Sequence, residues 1–385
     1  MSLKYITPVF DVHQFNLAYQ EGVREFLIAP TKLSRFGKLE LREASDFALS
    51  IKEKNDVTVV LEWDALYCQN KFSQLINELK SFNFEVFDEI RVQDPGVFGW
   101  VLKNLNQPIQ LNLETGNHNL EAIKNWASYG KKRISRLILS PELPGNIITE
   151  YRKNLDVPFE LMGIGRILLF YTPRELLSPL SNDKREVLEG SASSEESPHS
   201  GFQLLQNEHG TFMFNPKDQS LLDQIDAVEM AGVAHLRLDL RFHDYQSLFP
   251  FVMSALQSGK TDDLKSNWPV KFFAGFFRVN KTDALFKKLK NRKIVRQDQN
   301  YLGVVLDVIK KETMGIKLKT RELGLSAGDT IEIHTPEGRV KKQKIDQLFN
   351  SKGESISNAT AGQIVFMKHI GGVSIRSSVY KSQQA

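Results

Sequence analysis

A (β/α)8 barrel followed by a small all-β barrel is the fold that the sequence predicts, on three observations. Through the first 260 residues, short apolar runs alternate with stretches whose apolar positions recur at three and four, at the spacing of about 20 to 30 residues typical of βα units. From residue 301 onward the pattern changes to short alternating strands separated by glycine turns. The charge divides near the same place: Lys271–Ala385 holds 22 Lys and Arg against 10 Asp and Glu, a net of +12, whereas Met1–Val270 holds 28 against 36, a net of −8. Such a split argues for separate folding units and suits the basic one to a polyanion.

Eight runs qualify as barrel strands: Tyr5–Phe10, Glu25–Ala29, Val57–Glu62, Glu89–Val92, Ile109–Leu113, Arg136–Leu139, Phe159–Ile164 and Ala234–Leu238. Helical patterns lie between them at Val12–Glu21, Leu41–Lys54, Phe72–Phe82, Leu120–Ser128 and Leu221–Ala231. Asp11 with Gln14 resembles a capping box opening the first helix. Gly22, Gly130 and Gly232 each stand just before a strand, where a left-handed residue closes a helix. Eight strands each feeding a helix favour a closed barrel, although periodicity alone leaves an open doubly wound sheet as the alternative. Residues 180–201, rich in Ser, Glu and Asp, read as a flexible surface insertion in the barrel domain, residues 1–265. Phe202–Leu205 and Thr211–Phe214 read as a β-hairpin running into Asn215–Asp218. A basic connector is expected over residues 266–300 and the β-barrel over residues 301–385. The strands of the latter are Leu302–Ile309, Gly315–Leu318, Thr330–His334, Val340–Ile345, Gln363–Met367 and Val373–Tyr380.

Composition excludes several classes. With 41% hydrophobic and 25% charged residues over 385 positions, the chain is neither collagen-like, coiled coil nor globally disordered. No run approaches the roughly 20 apolar residues of a membrane-spanning helix, and Met1–Phe10 lacks a basic region leading into an apolar one, so a cytoplasmic location with no membrane partner is expected. The single cysteine, Cys68, excludes an internal disulfide, an all-cysteine zinc site and a cysteine-ligated iron–sulfur cluster within one chain, each of which needs several thiols. The eight histidines form no HxxxH or HxH pair, and no metal site is expected. A G-x-S-x-G elbow, a P-loop and a complete dinucleotide fingerprint are also absent.

In a (β/α)8 barrel, chemistry sits at the carboxyl ends of the strands, so the polar residues directly after each apolar run are the candidates. They are Trp63 and Asp64, Gln93 and Asp94, Glu114, Asn117 and His118, Glu142, Arg166, then Asn215, Lys217 and Asp218 from the hairpin, and Asp239 and Arg241 after the eighth strand. Asp94, Glu142, His118 and Asp239 are the candidates for proton transfer, and Arg166, Asn215, Lys217, Asp218 and Arg241 those for ligand binding. Each has a plainer alternative. Asp94 before Pro95-Gly96 suits a turn or helix cap, Glu142 after Pro141 likewise, Asp239 with Arg241 suits a structural ion pair, and His118 suits a hydrogen-bonded loop. In the C-terminal part, Lys287, Lys288, Lys290, Arg292, Lys293 and Arg296 crowd ten residues, with further lysines at 310, 311, 317, 319, 341, 342 and 344. Phosphate backbones reward such clustering through counterion release, and the alternative is a solvated surface.

Taken in order, these segments resemble the peptidase U32 (collagenase-like) family over nearly the whole chain. Its "GAD…YLG" strand is similar to Gly22-Val23-Arg24-Glu25-Phe26-Leu27, its "ADPG" to Gln93-Asp94-Pro95-Gly96, and its "SREL" to Ser140-Pro141-Glu142-Leu143. The "HGRLPLAYSARC" type of segment resembles the run from Ile164-Gly165-Arg166 to Arg174-Glu175. "NSKD" resembles Asn215-Pro216-Lys217-Asp218, and "LKIEGR" resembles Leu236 to Arg241. The segment Tyr301 to Tyr380 resembles the β-barrel that follows the core in some members.

The resemblance implies roles in oxygen-independent hydroxylation of tRNA and ribosomal RNA bases with prephenate, or of ubiquinone precursors, carried out by members with cysteine-bound iron–sulfur clusters. This chain departs at the decisive positions: Leu168 and Glu175 stand where relatives have cysteines, and Ile164 where a histidine is frequent. The expectation is therefore a U32-type protein without an iron–sulfur cluster and with no other cofactor, associated with RNA or with an RNA-modification system. A hydrolase or peptidase using rim carboxylates, and a non-catalytic partner of a cluster-bearing paralogue, are the alternatives. RNA, through the basic C-terminal part, and such a paralogue are the expected partners.

Overall fold

The computed structural model describes residues 3–180, 187–193, 201–278, 298–319, 323–336 and 338–382. The chain forms two compact units, Met1–Lys281 and Thr282–Ala385. The lysine and arginine cluster at 287–296 lies outside the described residues.

The strands of the first unit are β1 Lys4–Pro8, β2 Glu25–Ile28, β3 Thr58–Trp63, β4 Glu89–Val92, β5 Ile109–Asn112, β6 Ile134–Ile138, β7 Phe159–Thr172, β8 Leu188–Ala192, β9 Phe202–Asn207, β10 Gly210–Ser220, β11 Val233–Leu238 and β12 Phe272–Phe273. β1 to β7 pair in parallel in sequence order, and β11 pairs in parallel with both β7 and β1, closing an eight-stranded barrel. The alternation of apolar runs and amphipathic stretches thus corresponds to a closed barrel, and the open sheet is excluded. Helices α1 Val12–Gln20, α2 Leu41–Ile51, α3 Gln69–Glu78, α4 Pro95–Asn104, α5 Leu120–Gly130, α6 Gly145–Arg152, α7 Ile225–Met230, α8 Tyr245–Ser258 and α9 Asp262–Asn267 complete the unit. One apolar cluster includes Phe15, Phe26, Val59, Leu61, Phe98, Ile148, Leu236 and Phe249, so the strand faces turned toward the helices are uniformly greasy.

Local chemistry explains the helix starts. The Asp11 side chain accepts from Gln14 N at 2.8 Å, and the Gln14 amide oxygen accepts from Phe10 N, one residue earlier than a strict capping box requires. Gly22 and Gly232 take left-handed φ values of 92° and 83° as expected, but Gly130 does not. There Lys131 is the left-handed residue (φ 52°), while Gly130 is held small because a Cβ would fall 2.4 Å from Ile134 Cγ1.

β7 is longer than the apolar run predicts. Its first half belongs to the barrel. Its second half leaves the rim and pairs antiparallel with β10, which pairs with β9, and β9 with β8. The hairpin expected around residues 206–210 is therefore one turn of a small sheet standing on the carboxyl end of the barrel. The switch falls at Gly165, whose φ is +148° and where a Cβ would lie 2.8 Å from Asp239 O. Only a residue without a side chain lets β7 pass that close to the end of β11. On β10, Phe214 pairs with Leu168 and Asp218 with Arg166, so residues 215–217 bulge out of the ladder.

The second unit comprises β13 Tyr301–Ile309, β14 Thr313–Leu318, β15 Leu325–Ser326, β16 Thr330–His334, β17 Val340–Lys344, β18 Leu348–Phe349, β19 Ser355–Ile356, β20 Asn358–Ala359, β21 Ile364–Lys368 and β22 Ser378–Lys381. Its curled antiparallel sheet runs β17-β16-β22-β13-β14-β21-β18-β19, with β15 paired to β20. Val305, Ile316, Ile331, Ile333, Val365 and Val379 fill its interior.

A Gly165→Ala substitution introduces a Cβ into backbone at a disallowed φ and is expected to lower the unfolding free energy of the barrel by about 1–3 kcal/mol, read as a lower midpoint in urea denaturation. An unchanged midpoint contradicts the packing described at the switch.

Candidate functional site

The barrel interior is divided in two. Ile6, Leu27 and Val60, from β1 to β3, form a small apolar cluster inside the barrel. The other strands turn ionised side chains inward, and register sets them side by side: Glu62 pairs with Arg91, Arg91 with Gln110, and Gln110 with Arg136. Arg91 Nη2 donates to Glu160 at 2.6 Å and Arg136 Nη1 donates to it at 3.0 Å, while Arg237 Nη1 stands 3.5 Å away. Arg136 also donates to Glu25 at 2.6 Å, and His235 Nε2 lies 3.3 Å from the same carboxylate. Arg91 and Glu160 are wholly buried.

The lattice continues upward to the rim. Arg237 reaches Glu114 at 2.5 Å and Asp239 at 3.3 Å. Arg241 forms a two-pronged pair with Asp239 and donates a further bond to Glu62 at 2.5 Å. Arg35 clamps Asp64 through Nε and Nη2. Burial opposes ionisation of these acids, but the arginines overcome it at Glu160, Asp64 and Asp239, whose carboxyls are held below the usual range. At Glu25 burial is likewise outweighed, by His235 and Arg136, and the pKa falls to about 2. Glu62 goes the other way: burial, reinforced by the nearby Asp64 charge, raises it despite Arg241.

Above this lattice lies a narrow pocket of about 70 Å³, lined by Arg35, Glu62, Asp64, Glu114, Arg166, Leu168, Phe214, Arg237, Asp239, Arg241 and Phe242 among others. It shares Phe36, Arg166, Phe214, Arg241 and Phe242 with a wider cleft of about 750 Å³, whose other wall is formed by β8 and β9 and whose lining includes Lys38 and His243. Phe36, Phe214 and Phe242 pack on one another with ring centroids 4.9 to 5.6 Å apart. The Arg166 guanidinium sits 5.1 Å from the Phe242 ring centre and 5.8 Å from that of Phe214. Its nearest carboxylate is Asp218 at 3.8 Å, too far for a hydrogen bond. Asp218 instead accepts from His243 Nε2 at 2.6 Å and Trp268 Nε1 at 2.8 Å. Among the described residues, Arg166 is thus the cleft arginine with no hydrogen-bonded acid. Lys38 donates to Arg241 O at 3.1 Å, and burial, then the Arg241 charge, lowers the pKa of its ammonium.

The structure therefore brings Arg166, Asp218, Asp239 and Arg241 together. It places the remaining candidates elsewhere. Asp94 caps α4, accepting from Gly96 N and Val97 N. Asn215 accepts from Lys217 N within the β10 bulge, and Lys217 is exposed. His118 and Glu142 meet at the rim, where His118 Nε2 lies 2.9 Å from Ser140 Oγ and 3.8 Å from Glu142 Oε2. Both neighbours approach one ring nitrogen, whereas a serine–histidine–acid relay needs them on opposite nitrogens. Sequence reasoning passed over Arg35, Glu25, Arg91, Arg136, Glu160, Arg237 and His243. The available signal was a charged residue inside an otherwise apolar strand, as Glu25 in Glu25-Phe-Leu-Ile, Arg91 in Ile90-Arg91-Val92 and Glu160 in Phe159-Glu160-Leu-Met. In a barrel whose outer face is covered by helices, such a residue has only the interior to enter.

A cysteine-ligated iron–sulfur cluster does not fit this donor set. The sole thiol, Cys68, is exposed at the N-cap of α3, and Leu168 lines the pocket with an apolar side chain. Among the described residues no group of His, Cys, Asp and Glu is arranged to hold a metal ion, and no helix is long and apolar enough to cross a membrane.

The sequence profile of Peptidase family U32 matches residues 11–266, and that of the Peptidase family U32 C-terminal domain matches residues 297–376. The tRNA hydroxylation protein P of Haemophilus influenzae is 21% identical over 348 residues, which span 73% of this chain and 74% of that protein. The protein of the same name from Escherichia coli is 22% identical over 349 residues, 74% of this chain and 75% of its own. Among solved structures, the C-terminal domain of a Geobacillus thermoleovorans U32 peptidase is similar at 20% identity, covering 25% of this chain and 99% of that one with a TM-score of 0.20.

Because the folded-state pKa of Glu25 is depressed from 4.5 to about 2, its ion pairs stabilise the fold above pH 4.5 and lose that contribution as pH falls toward 2. Acid titration of unfolding free energy is expected to drop through that window, with about 3 kcal/mol as the upper limit for this group. Glu25→Gln is expected to lower stability at neutral pH and to flatten the same part of the profile. A profile with unaltered slope contradicts the ion pairs assigned to Glu25.

Proposed function

The chain belongs to peptidase family U32, and from that footing we propose that it acts in RNA modification, receiving a nucleotide of its RNA in the cleft above the barrel mouth. One observation carries the reading: Arg166, flanked by Phe214 and Phe242 and without a hydrogen-bonded acid among the described residues, faces a cleft of about 750 Å³. A splayed base is recognised by aromatic rings and guanidinium planes, and its phosphate by an arginine fork. The cleft volume is in the range that holds a drug-sized or nucleotide-sized ligand. The names of the relatives, tRNA hydroxylation proteins, support the same direction.

In this reading each group has a limited task. Arg166 binds the anionic part of the ligand. Asp218 holds His243 through Nε2 and orients that ring at the cleft wall. The lattice of Arg237, Asp239, Arg241 and Glu62 forms a rigid polar floor that keeps the pocket open in a fixed shape. The single thiol of Cys68 does not supply the ligands of an iron–sulfur cluster. We propose that the chain works without such a cluster and that the oxidising chemistry comes from a bound reactant or from a cluster-bearing partner protein.

Mass spectrometry of nucleosides from tRNA and ribosomal RNA, taken from cells with and without the gene, tests the proposal. A hydroxylated nucleoside is expected to disappear in the deletion strain and to return with the native gene. Arg166→Ala is expected to weaken RNA binding by roughly 10- to 100-fold, as for a lost charged hydrogen bond, and to restore the nucleoside poorly. Identical nucleoside profiles with and without the gene defeat the proposal.

A further inference from the structure

The register of the C-terminal sheet sorts its side chains onto two faces. Met314, Ile316 and Leu318 of β14, Val365 and Met367 of β21 and Leu348 of β18 are buried in the interior. The alternate residues point outward, and pairing aligns them in rows. Gly315 lies beside Phe366, and Phe366 beside Phe349. Lys317 lies beside Ile364 and Thr313 beside Lys368. Neither Phe366 nor Phe349 packs against the apolar interior, and both are half-buried on the outer face.

Gly315 explains the posture of the central ring. A Cβ built there would stand 3.1 Å from Phe366 Cε1, so the ring lies across the bare strand beside it. Phe366 thus rests against bare backbone on one side and stays half-buried on the outer face. Lys317 and Lys368 sit at diagonal corners of this patch, and exposed Lys310 and Lys311 follow in the β13–β14 turn. Over residues 301–385 the sequence carries 13 Lys and Arg against 8 Asp and Glu, a net of +5.

We infer that this outer face, with Phe366 and Phe349 as stacking surfaces and Lys317 and Lys368 as phosphate contacts, binds single-stranded RNA. The inference deepens the RNA reading above and rests on it for its biological partner, but it concerns a different surface. Aromatic side chains on the outer face of a sheet and flanked by lysines suit splayed bases and a phosphate backbone, because every base has a π-face and the duplex conceals it. The net positive charge favours a polyanion over an apolar protein segment.

Fluorescence anisotropy of the full chain with a labelled oligouridylate of about 12 nucleotides, and with an RNA duplex of the same length, tests this. Phe366→Leu and Phe349→Leu, which keep an apolar residue at each position, are each expected to weaken single-strand binding by roughly 5- to 100-fold and leave duplex binding unchanged. Phe366→Tyr is expected to retain it. Lys317→Ala and Lys368→Ala are each expected to reduce the slope of log affinity against log salt by about 0.7. Native-like affinity in both leucine variants, with unchanged circular dichroism, overturns the inference. So does a wild-type dimer in sedimentation that Phe366→Leu dissociates, which would make the face a contact between copies. Should Arg166→Ala abolish nucleoside restoration while both leucine variants bind the oligonucleotide normally, this inference alone fails. Oligonucleotide binding that depends on Phe366 alongside unchanged cellular nucleosides defeats the proposed function alone.

Discussion

Glu160 is a carboxylate with no access to water, facing Arg91, Arg136 and Arg237, and the barrel interior depends on that convergence. An isolated charge in such a place would be strongly unfavourable, and each arginine would be equally so without it. Together they neutralise one another and pass the requirement along: Arg136 to Glu25, Arg237 to Glu114 and Asp239, Arg241 to Asp239 and Glu62. Desolvation of the paired charges offsets much of their mutual attraction, so the lattice is weak evidence for added stability. What it supplies instead is a polar floor whose geometry is over-determined by many short contacts.

That floor gives the cleft its character. Among the described residues, Arg91, Arg136, Arg237 and Arg241 of the interior lattice are each committed to a carboxylate, so the arginine beside Phe214 and Phe242 is distinguished by having its nearest acid at 3.8 Å. Asp218 is drawn toward His243 and Trp268 instead. The β10 bulge makes this possible, since residues 215–217 stand out of the ladder and let Phe214 pair with Leu168 and Asp218 with Arg166. A β7 that ended with its apolar run would leave no wall opposite Phe36 and Phe242, and the barrel mouth would be an open dish.

Much of this was legible in the residues. The βα rhythm placed seven of the eight strands within two residues of their observed bounds, and β7 at its start, because a strand buried beneath helices must be apolar on its outer face wherever it occurs. Arg166, Asp218, Asp239 and Arg241 were found by position alone, since residues after barrel strands face the mouth. The same rule also selected Asp94, whose carboxylate is engaged in capping α4, because a cap and a catalytic acid occupy the same place in sequence. Gly130 misled for a related reason: a glycine before a strand reads as a left-handed closure, whereas here it clears space for Ile134.

The sequence by itself determined the order of strands and helices, the division into an acidic barrel and a basic sheet, and the lack of thiols for a cluster, because each follows from local periodicity or from counting. The tertiary structure alone decided that Glu25, Arg91, Arg136, Glu160 and Arg237 meet inside the barrel, that β7 continues past Gly165 into a second sheet, and that Phe366 rests beside Gly315. Direct partners among these are up to 111 residues apart, as for Glu25 and Arg136, and Glu25 and Arg237, 212 residues apart, share the lattice through Arg136 and Glu160. Closure of the barrel and the stagger of its strands set which of them touch, and no local pattern encodes that stagger.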